Sequence, residues 1–158
     1  CGSAEKCAQA RGLGCGNAVN YREEDVADYV QRLTDGTGFD VVYDTVGGTV
    51  LDQSFAAAAL NGTVVSIATR STHDLTPLHA RGLSLHVVFM LIPMLHGTGR
   101  AAHGRILENV ARLADDGLVR PLIDPRAFTF DQAAEAHALL ENGEATGKVV
   151  LTNPGFSA

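Results

Sequence analysis

The sequence has 158 residues, of which 46% are hydrophobic, 12 are basic and 18 are acidic. That length and hydrophobic fraction suffice for one ordinary globular core, but not for two comfortable domains. The acidic balance, without long runs of like charge, argues against nucleic acid or an anionic membrane as the main partner. A small soluble ligand is therefore the expected partner.

The cysteines and the most apolar stretch narrow the class of protein. Cys1, Cys7 and Cys15 form neither an even disulfide set nor a two-pair zinc pattern, which is typical of reduced thiols in a cytoplasmic protein. The apolar stretch from Leu83 to Leu95 is shorter than the roughly 20 residues of a spanning helix. We expect no signal peptide and no membrane segment. The sequence starts without a methionine, and we expect it to be an excised piece.

Helical and extended patterns alternate from the start of the chain. Ala4 to Leu13 is predicted to be a helix that Ser3 caps. Val19 to Tyr21 is predicted to be a very short strand. A second helix is predicted from Glu24, because apolar residues recur at helical spacing and a glycine follows; they are Val26, Tyr29, Val30 and Leu33, with Gly36 after them.

The middle of the chain contains three apolar runs. Phe39 to Tyr43 and Thr63 to Ala68 are rich in β-branched residues without polar alternation, which predicts strands buried on both faces. The Ala-rich stretch between them, Val50 to Leu60, is predicted to be a helix. Leu83 to Met90 is predicted to be a third strand at the edge of the sheet.

The last third continues the alternation. Ala102 to Asp116 has the pattern of an amphipathic helix that stops at Gly117. An extended segment from Pro121 to Phe130, a helix from Asp131 to Glu141 capped by Asp131, and a closing strand from Gly147 to Leu151 are predicted after it. Steady alternation of strands and helices predicts an α/β fold, with a doubly wound parallel sheet and helices on both of its faces.

Two neighbouring strands end in small and polar residues. The segments Asp44 to Gly48 and Ala68 to Ser71 lie at the carboxyl ends of the strands predicted at Phe39 to Tyr43 and Thr63 to Ala68. Ligands of parallel α/β sheets bind outside the carboxyl ends of the strands, where glycine lets a backbone come close to them. An ordinary strand-to-helix turn, with Asp or Thr as the capping residue, is the alternative interpretation.

Several segments in collinear order carry a resemblance over nearly the whole chain: GSAEK, LGCGNAVNYREED, GFDVVYDTVGG, LNGTVVSIA and FDQAAEAHALLENGEATGKVVL. The chain resembles the C-terminal half of medium-chain dehydrogenases/reductases, and above all the quinone oxidoreductase-like members and the zinc-type alcohol dehydrogenases. The resemblance implies a Rossmann-type NAD(P)-binding domain over residues 1–120 and a segment, 121–158, that returns toward a GroES-like catalytic domain. The first strand, the G-x-G-x-x-G turn and that catalytic domain are expected to precede Cys1, so the isolated chain is expected to lack activity.

The resemblance also implies which residues contact the cofactor. Cys1 stands where the family places an acid for the ribose of NADH, and Lys6 follows a turn later, which favours NADPH. The adenosine-ribose side would be formed by Gly2, Ser3, Lys6 and Tyr21. The nicotinamide side would be formed by Asp44, Thr45, Gly47, Gly48, Ser66, Ala68, Thr69 and Phe89, with Lys148 near the cofactor. A capping role for Ser3, core packing of Phe89 and solvated lysines are the alternatives.

No pattern for a metal or a nucleophile is visible in the sequence. The six histidines, which lack metal-ligand spacing, are predicted to be structural or exposed: His73, His79, His86, His96, His103 and His137. No nucleophile–base or carboxylate pair stands out either, which suits a reductase whose cofactor carries the hydride. We expect no catalytic side chain and no metal ligand in this chain.

The first functional hypothesis is a fragment of an NADPH-dependent oxidoreductase that passes hydride between nicotinamide and a quinone, enone or carbonyl substrate. A zinc-dependent alcohol dehydrogenase with its metal outside this chain is the second hypothesis. A nucleotide-binding or structural module without catalysis is the third. An apolar edge strand invites pairing, and in the family the corresponding edge pairs with its symmetry mate. We therefore expect a homodimer formed through Leu83 to Met90.

Overall fold

The computed structural model describes residues 1–153 and 155. Contacts divide the chain into a first unit, Cys1–Leu95, and a second unit that begins at His96. The first unit contains α1 (Ala4–Gly12), α2 (Val26–Thr34), β1 (Phe39–Asp44), α3 (Thr49–Ala57), β2 (Ala58–Ser66), α4 (Thr76–Arg81), β3 (Ser84–Val87) and α5 (Ile92–Leu95). The second contains α6 (Arg100–Asp115), β4 (Ile123–Thr129), a 3₁₀ turn (Phe130–Gln132), α7 (Ala133–Glu141) and β5 (Lys148–Thr152). The predicted division after residue 120 stays a prediction.

The sheet of the first unit has the order β1-β2-β3, and both neighbouring pairs are parallel. Asp44 is in register with Ser66, and Ser66 is in register with Val87. The three strands therefore end at one common level, and the loops that follow them leave from the same edge. This confirms the predicted parallel α/β fold.

The core of the first unit lies between β2 and the helix before it. Leu51, Phe55, Ala58 and Val64 are each at most 1% exposed and pack together. The central strand is covered most completely because it has a neighbouring strand on each side and α3 against it. Burying a side chain the size of Phe55 stabilises a fold by about 1.5–3 kcal/mol.

The prediction that both strands are buried on both faces is wrong for β1. Val41 is 64% exposed and Tyr43 is 61% exposed. Within the sheet that the structure describes, β1 is an edge strand with β2 as its single neighbour, so its other edge has no strand beside it. A continuous apolar run does not distinguish an edge strand from a central one.

Several predicted boundaries need correction. Val19 to Tyr21 is not a strand, although Cys1 N donates to Val19 O at 2.8 Å and Tyr21 N donates to Cys1 O at 3.1 Å. Those two bonds involve one partner residue, which is too few for a ladder. The predicted helix Val50 to Leu60 ends earlier, because Ala58 already belongs to β2. The predicted strands Thr63 to Ala68 and Leu83 to Met90 also end early, at Ser66 and Val87.

The second unit contains a parallel pair of strands, β4 and β5, joined through α7. The prediction that Asp131 caps the last helix is wrong. Thr129 is the capping residue of the 3₁₀ turn before α7, and the Gln132 side chain accepts a hydrogen bond from its backbone at 3.1 Å. His137 on α7 is exposed. None of the described helices combines the length and hydrophobicity that crossing a bilayer requires.

Candidate functional site

Asp44 is the centre of a hydrogen-bond network at the carboxyl end of β1. Asp44 is only 3% exposed. Its Oδ1 accepts hydrogen bonds from Val46 N at 2.9 Å and from Gly47 N at 3.0 Å. Its Oδ2 accepts from the Ser66 hydroxyl at 2.7 Å, across the two strands. Burial opposes ionisation, but these hydrogen bonds and the nearby His73 outweigh it, so the pKa of Asp44 lies below its ordinary value.

Two glycines give the loop after β1 its shape. Gly47 has φ +76°, and a Cβ on it would lie 2.0 Å from the carbonyl oxygen of Ala68. The loops after β1 and β2 are therefore in backbone contact, which a side chain at Gly47 would prevent. Gly48 has φ +56° and no atom within 4 Å of such a Cβ. Its backbone faces open space, where a ligand can approach it, and the Thr45 side chain beside it is exposed.

The residues after β2 and β3 line one concavity of about 460 Å³. It contains three of the predicted contact residues, Ala68, Thr69 and Phe89, and the last of these is 48% exposed. Phe89 thus faces this concavity and is not a core residue. Arg70, which the sequence analysis did not include, also lines it. An exposed cation directly after a strand was the available signal.

The four predicted residues of the adenosine-ribose side lie around the start of α1. Ser3 caps that helix and accepts from Lys6 N at 3.2 Å, while the side chain of Lys6 is exposed. A Cβ on Gly2 would lie 2.7 Å from the Tyr21 hydroxyl oxygen, so the tyrosine lies directly against this glycine. The capping interpretation of Ser3 is therefore correct, and its O–H group can still donate.

Tyr21 and the loop after β1 line a second concavity. It has a volume of about 490 Å³, and its lining residues are Cys1, Val19, Tyr21, Tyr29, Val46, Val50 and Gln53. Tyr21 is the one predicted contact residue among them, so this opening does not unite the two predicted groups. Lys148 begins β5 in the second unit, where its side chain is exposed, and its contact with a cofactor stays a prediction.

His73 has partners that the sequence analysis missed. Its Nε2 lies 2.5 Å from the Ser71 hydroxyl, and its Nδ1 lies 2.7 Å from a carboxylate oxygen of Asp52. No such arrangement stood out in the sequence, and the expectation that the chain has no catalytic side chain stays a prediction. No sequence signal joined the two partners, because 21 residues separate His73 from Asp52. Among the residues that the structure describes, no three His, Cys, Asp or Glu side chains are grouped as metal ligands.

Comparisons with known protein families support the fold. A family profile described as "Zinc-binding dehydrogenase" matches residues 13–151. An alcohol dehydrogenase superfamily protein from Novosphingobium aromaticivorans is 34% identical and superposes with a TM-score of 0.85, over 96% of this chain and 46% of that one. A quinone oxidoreductase from Pseudomonas syringae is 27% identical with a TM-score of 0.77, over 97% of this chain and 47% of that one.

Curated relatives show the same partial coverage. An NADPH-dependent alkenal/one oxidoreductase of Arabidopsis thaliana is 29% identical over 150 residues, which are 94% of this chain and 32% of that protein. A highly reducing polyketide synthase of Aspergillus terreus is 32% identical over 136 residues, which are 84% of this chain and 5% of that protein. The chain thus spans less than half the length of these relatives.

Proposed function

This chain belongs to the zinc-binding dehydrogenase family, within the medium-chain dehydrogenases/reductases, and from that premise we propose an NADPH-dependent oxidoreductase. In the full-length protein it would transfer hydride between the nicotinamide and a quinone, enone or carbonyl compound. The observation that carries the proposal is the common carboxyl edge of the sheet, where the Asp44 network holds the loop after β1 against the loop after β2. Ligands of such sheets bind at this edge.

The nicotinamide side of the edge fits a flat polar ring. Gly48 leaves space that a side chain would fill, and the concavity after β2 and β3 has an apolar wall that includes Val88 and Phe89. The bound nicotinamide supplies or accepts the hydride. The chain's own contribution is to hold the ring: Ala68 and Thr69 offer backbone groups at its edge, and Phe89 excludes water from one side.

The adenosine side favours a phosphate on the ribose. Ser3 can donate a hydroxyl hydrogen bond, Lys6 supplies a positive charge, and Tyr21 presents its hydroxyl beside Gly2. No carboxylate occupies position 1, where one would repel the phosphate. The NADPH-dependent relative in Arabidopsis thaliana supports the same preference.

Titration of the full-length protein with NADPH and NADH, followed by nicotinamide fluorescence, tests the cofactor assignment. We expect NADPH to bind more tightly, and Lys6→Met to weaken NADPH about tenfold through the loss of one charge-assisted contact. NADH affinity should not change in that variant. Arg105→Met, which removes an exposed cation from α6, is the matched control. Equal affinity for both cofactors in the natural protein would contradict the assignment.

A zinc-dependent alcohol dehydrogenase is the second candidate, because the matching family is described by zinc binding. The residues that the structure describes offer no group of three potential ligands, so they do not fit a zinc site by themselves. Any such site would need ligands from the rest of the protein. Metal analysis of the purified full-length protein, with turnover on an alcohol panel and a quinone panel, distinguishes the two candidates. Binding of NADPH without turnover on either panel would favour a nucleotide-binding module.

The free edge of β3 supports a homodimer. In the described sheet β3 pairs with β2 alone, and Val87 is 57% exposed. An unpaired apolar edge is suited to pairing with its own symmetry mate. Light scattering after size exclusion should give twice the chain mass for the full-length protein and a smaller mass for Val87→Lys. A monomer at high concentration would contradict this proposal.

A further inference from the structure

A second set of polar side chains lies near the carboxyl edge, outside the Asp44 network. The hydroxyl of Ser71, the imidazole of His73 and the carboxylate of Asp52 follow one another at 2.5 Å and 2.7 Å. Ser71 and His73 belong to the loop after β2, and Asp52 belongs to α3. The order hydroxyl, imidazole, carboxylate is the one in which an imidazole moves protons to and from a hydroxyl while a carboxylate orients it.

The burial of the three residues differs. The His73 side chain is 9% exposed and lies edge-on to Phe55, with ring centroids 6.2 Å apart. The ring is thus held by packing on one side and by two hydrogen bonds in its own plane. Ser71 is exposed, and the Asp52 side chain is 52% exposed, so an external molecule can reach both ends of the set but not the buried ring between them.

Ser71 is the next residue in the sequence after the lining of the proposed reaction site. Thr69 and Arg70, which directly precede it, line the concavity assigned above to the nicotinamide side. Hydride transfer to a carbonyl or enone leaves negative charge on the substrate oxygen, and a proton must reach that oxygen. No other described part of the chain near this edge combines an accessible hydroxyl with a proton-carrying ring.

We propose that Ser71, His73 and Asp52 form the proton relay of the oxidoreductase, with Ser71 as the catalytic residue that touches the substrate. This inference rests on the proposed function. As hydride reaches the substrate carbon, the Ser71 O–H bond breaks and its proton goes to the substrate oxygen. The serine oxygen takes the Nε2 proton of a protonated His73. His73 keeps its Nδ1 proton throughout, hydrogen-bonded to the Asp52 carboxylate, and a proton from solvent restores Nε2 after the product leaves.

Two further carboxylates lie near His73, one in space and one in the sequence. Asp44 lies close enough for His73 to favour its ionised form. Asp74 follows His73 in the sequence, but its carboxylate accepts from the backbone and hydroxyl of Thr76 at 2.9 Å and 2.6 Å. Asp52 is therefore the carboxylate that orients the ring.

Kinetics of the full-length protein test the relay. Ser71→Ala should lower kcat by at least about a hundredfold, the lower range for general acid catalysis, with NADPH affinity within about twofold of the natural protein. His73→Gln and Asp52→Asn should lower kcat as well, and the solvent deuterium isotope effect on kcat should change in all three. Ser84→Ala on β3, which is exposed and outside the set, is the control.

A second measurement needs neither cofactor nor turnover. In ¹⁵N-histidine NMR of the cofactor-free protein, neutral His73 should carry its proton on Nδ1, and Asp52→Asn should shift the ring toward the other tautomer. An even mixture of tautomers in the natural protein would overturn the relay. So would a Ser71→Ala variant that keeps its kcat and isotope effect, and in that case the proposed function would stand. Absence of turnover in the natural protein would overturn both.

Discussion

Asp44 and Asp124 are both buried carboxylates, each 3% exposed, and both hold a loop by accepting backbone N–H groups. Asp124 accepts from Thr146 N at 2.7 Å in the second unit, as Asp44 accepts from Gly47 N in the first. Both loops contain a glycine whose Cβ would meet a backbone oxygen: Gly47 faces Ala68 O at 2.0 Å and Gly147 faces Leu122 O at 2.4 Å.

The two carboxylates differ in their remaining partners. Asp44 accepts from the hydroxyl of Ser66, whereas Asp124 accepts from the Arg126 side chain at 2.8 Å through each of its oxygens. The guanidinium and the Thr146 N–H hold the pKa of Asp124 well below its usual range. The Arg126 guanidinium supplies Asp124 with a fixed positive charge, and the loop that Asp124 holds leads to Lys148, whose contact with a cofactor stays a prediction. A buried, fully bonded aspartate therefore does not indicate function by itself; the open edge beside Asp44 does.

Substitution of the glycines in the two loops should lower the stability of the protein the most. Gly47→Ala and Gly147→Ala should each lower the free energy of unfolding by about 3–5 kcal/mol, because overpacking against backbone adds to the cost of a left-handed conformation. Gly48→Ala also meets a positive φ, with ψ −136°, but its Cβ would enter open space, so it should cost about 1–3 kcal/mol from backbone strain alone. Urea unfolding measures all three variants. A Gly47→Ala variant no less stable than Gly48→Ala would contradict the close contact with Ala68.

Replacing each aspartate by asparagine should lower stability by different amounts at the two positions. Every partner of Asp124 is a hydrogen-bond donor. In Asp124→Asn the side-chain NH₂ replaces one accepting oxygen, so it must face N–H groups from which it cannot accept a hydrogen bond. Asp44→Asn can donate its amide to Ser66, whose hydroxyl can rotate. We expect a clear fall in thermal midpoint for Asp124→Asn and a change below about 1 kcal/mol for Asp44→Asn. Equal losses would show that the hydroxyl does not reorient.

The stability of the protein in acid should show how much the Asp124 carboxylate contributes. Both carboxylates have a lowered pKa in the folded protein. Each therefore adds stability above the pKa of its unfolded form, and this stability is lost as the pH falls through the folded value. As the pH falls from about 5 toward 2, below the pKa of the unfolded carboxylate, the natural protein should lose more stability than Asp124→Asn, which has already lost this contribution. Parallel urea curves for both proteins across that range would contradict the assignment.

Much of the fold could be predicted because local patterns determine it. β-Branched runs such as Phe39 to Tyr43, and the apolar spacing from Val26 to Leu33, predicted strands and helices that the structure confirms. The exposure of Val41 could not be predicted, since it depends on how many strands flank β1 and not on the run itself.

Only the part of the site at the ends of neighbouring strands could be predicted from the sequence. Asp44 and Ser66 end neighbouring strands, and the carboxyl-edge rule brings such residues together. The pairs His73–Asp52 and Asp124–Thr146 join residues 21 and 22 positions apart through the path of the loops, which no periodicity encodes. Such contacts need tertiary geometry, and the relay proposed for Ser71 depends on one of them.

The last expected effect concerns Ser66, a partner that Asp44 has and Asp124 lacks. Ser66→Ala removes the 2.7 Å hydrogen bond to Oδ2 and the 3.2 Å hydrogen bond that Ser66 Oγ accepts from Ala68 N, while both backbone N–H bonds to Oδ1 remain. The free energy of unfolding should therefore fall by about 1–3 kcal/mol, because the buried Oδ2 is left without a donor. Ser54→Ala is the matched control, because Ser54 is also buried and donates to Val50 O on its own helix. If Ser66→Ala weakened NADPH binding and Ser54→Ala did not, the hydroxyl would act on the position of the loop after β1 as well as on stability. Unchanged binding in both variants would mean that the two backbone bonds suffice to hold Gly47 against Ala68.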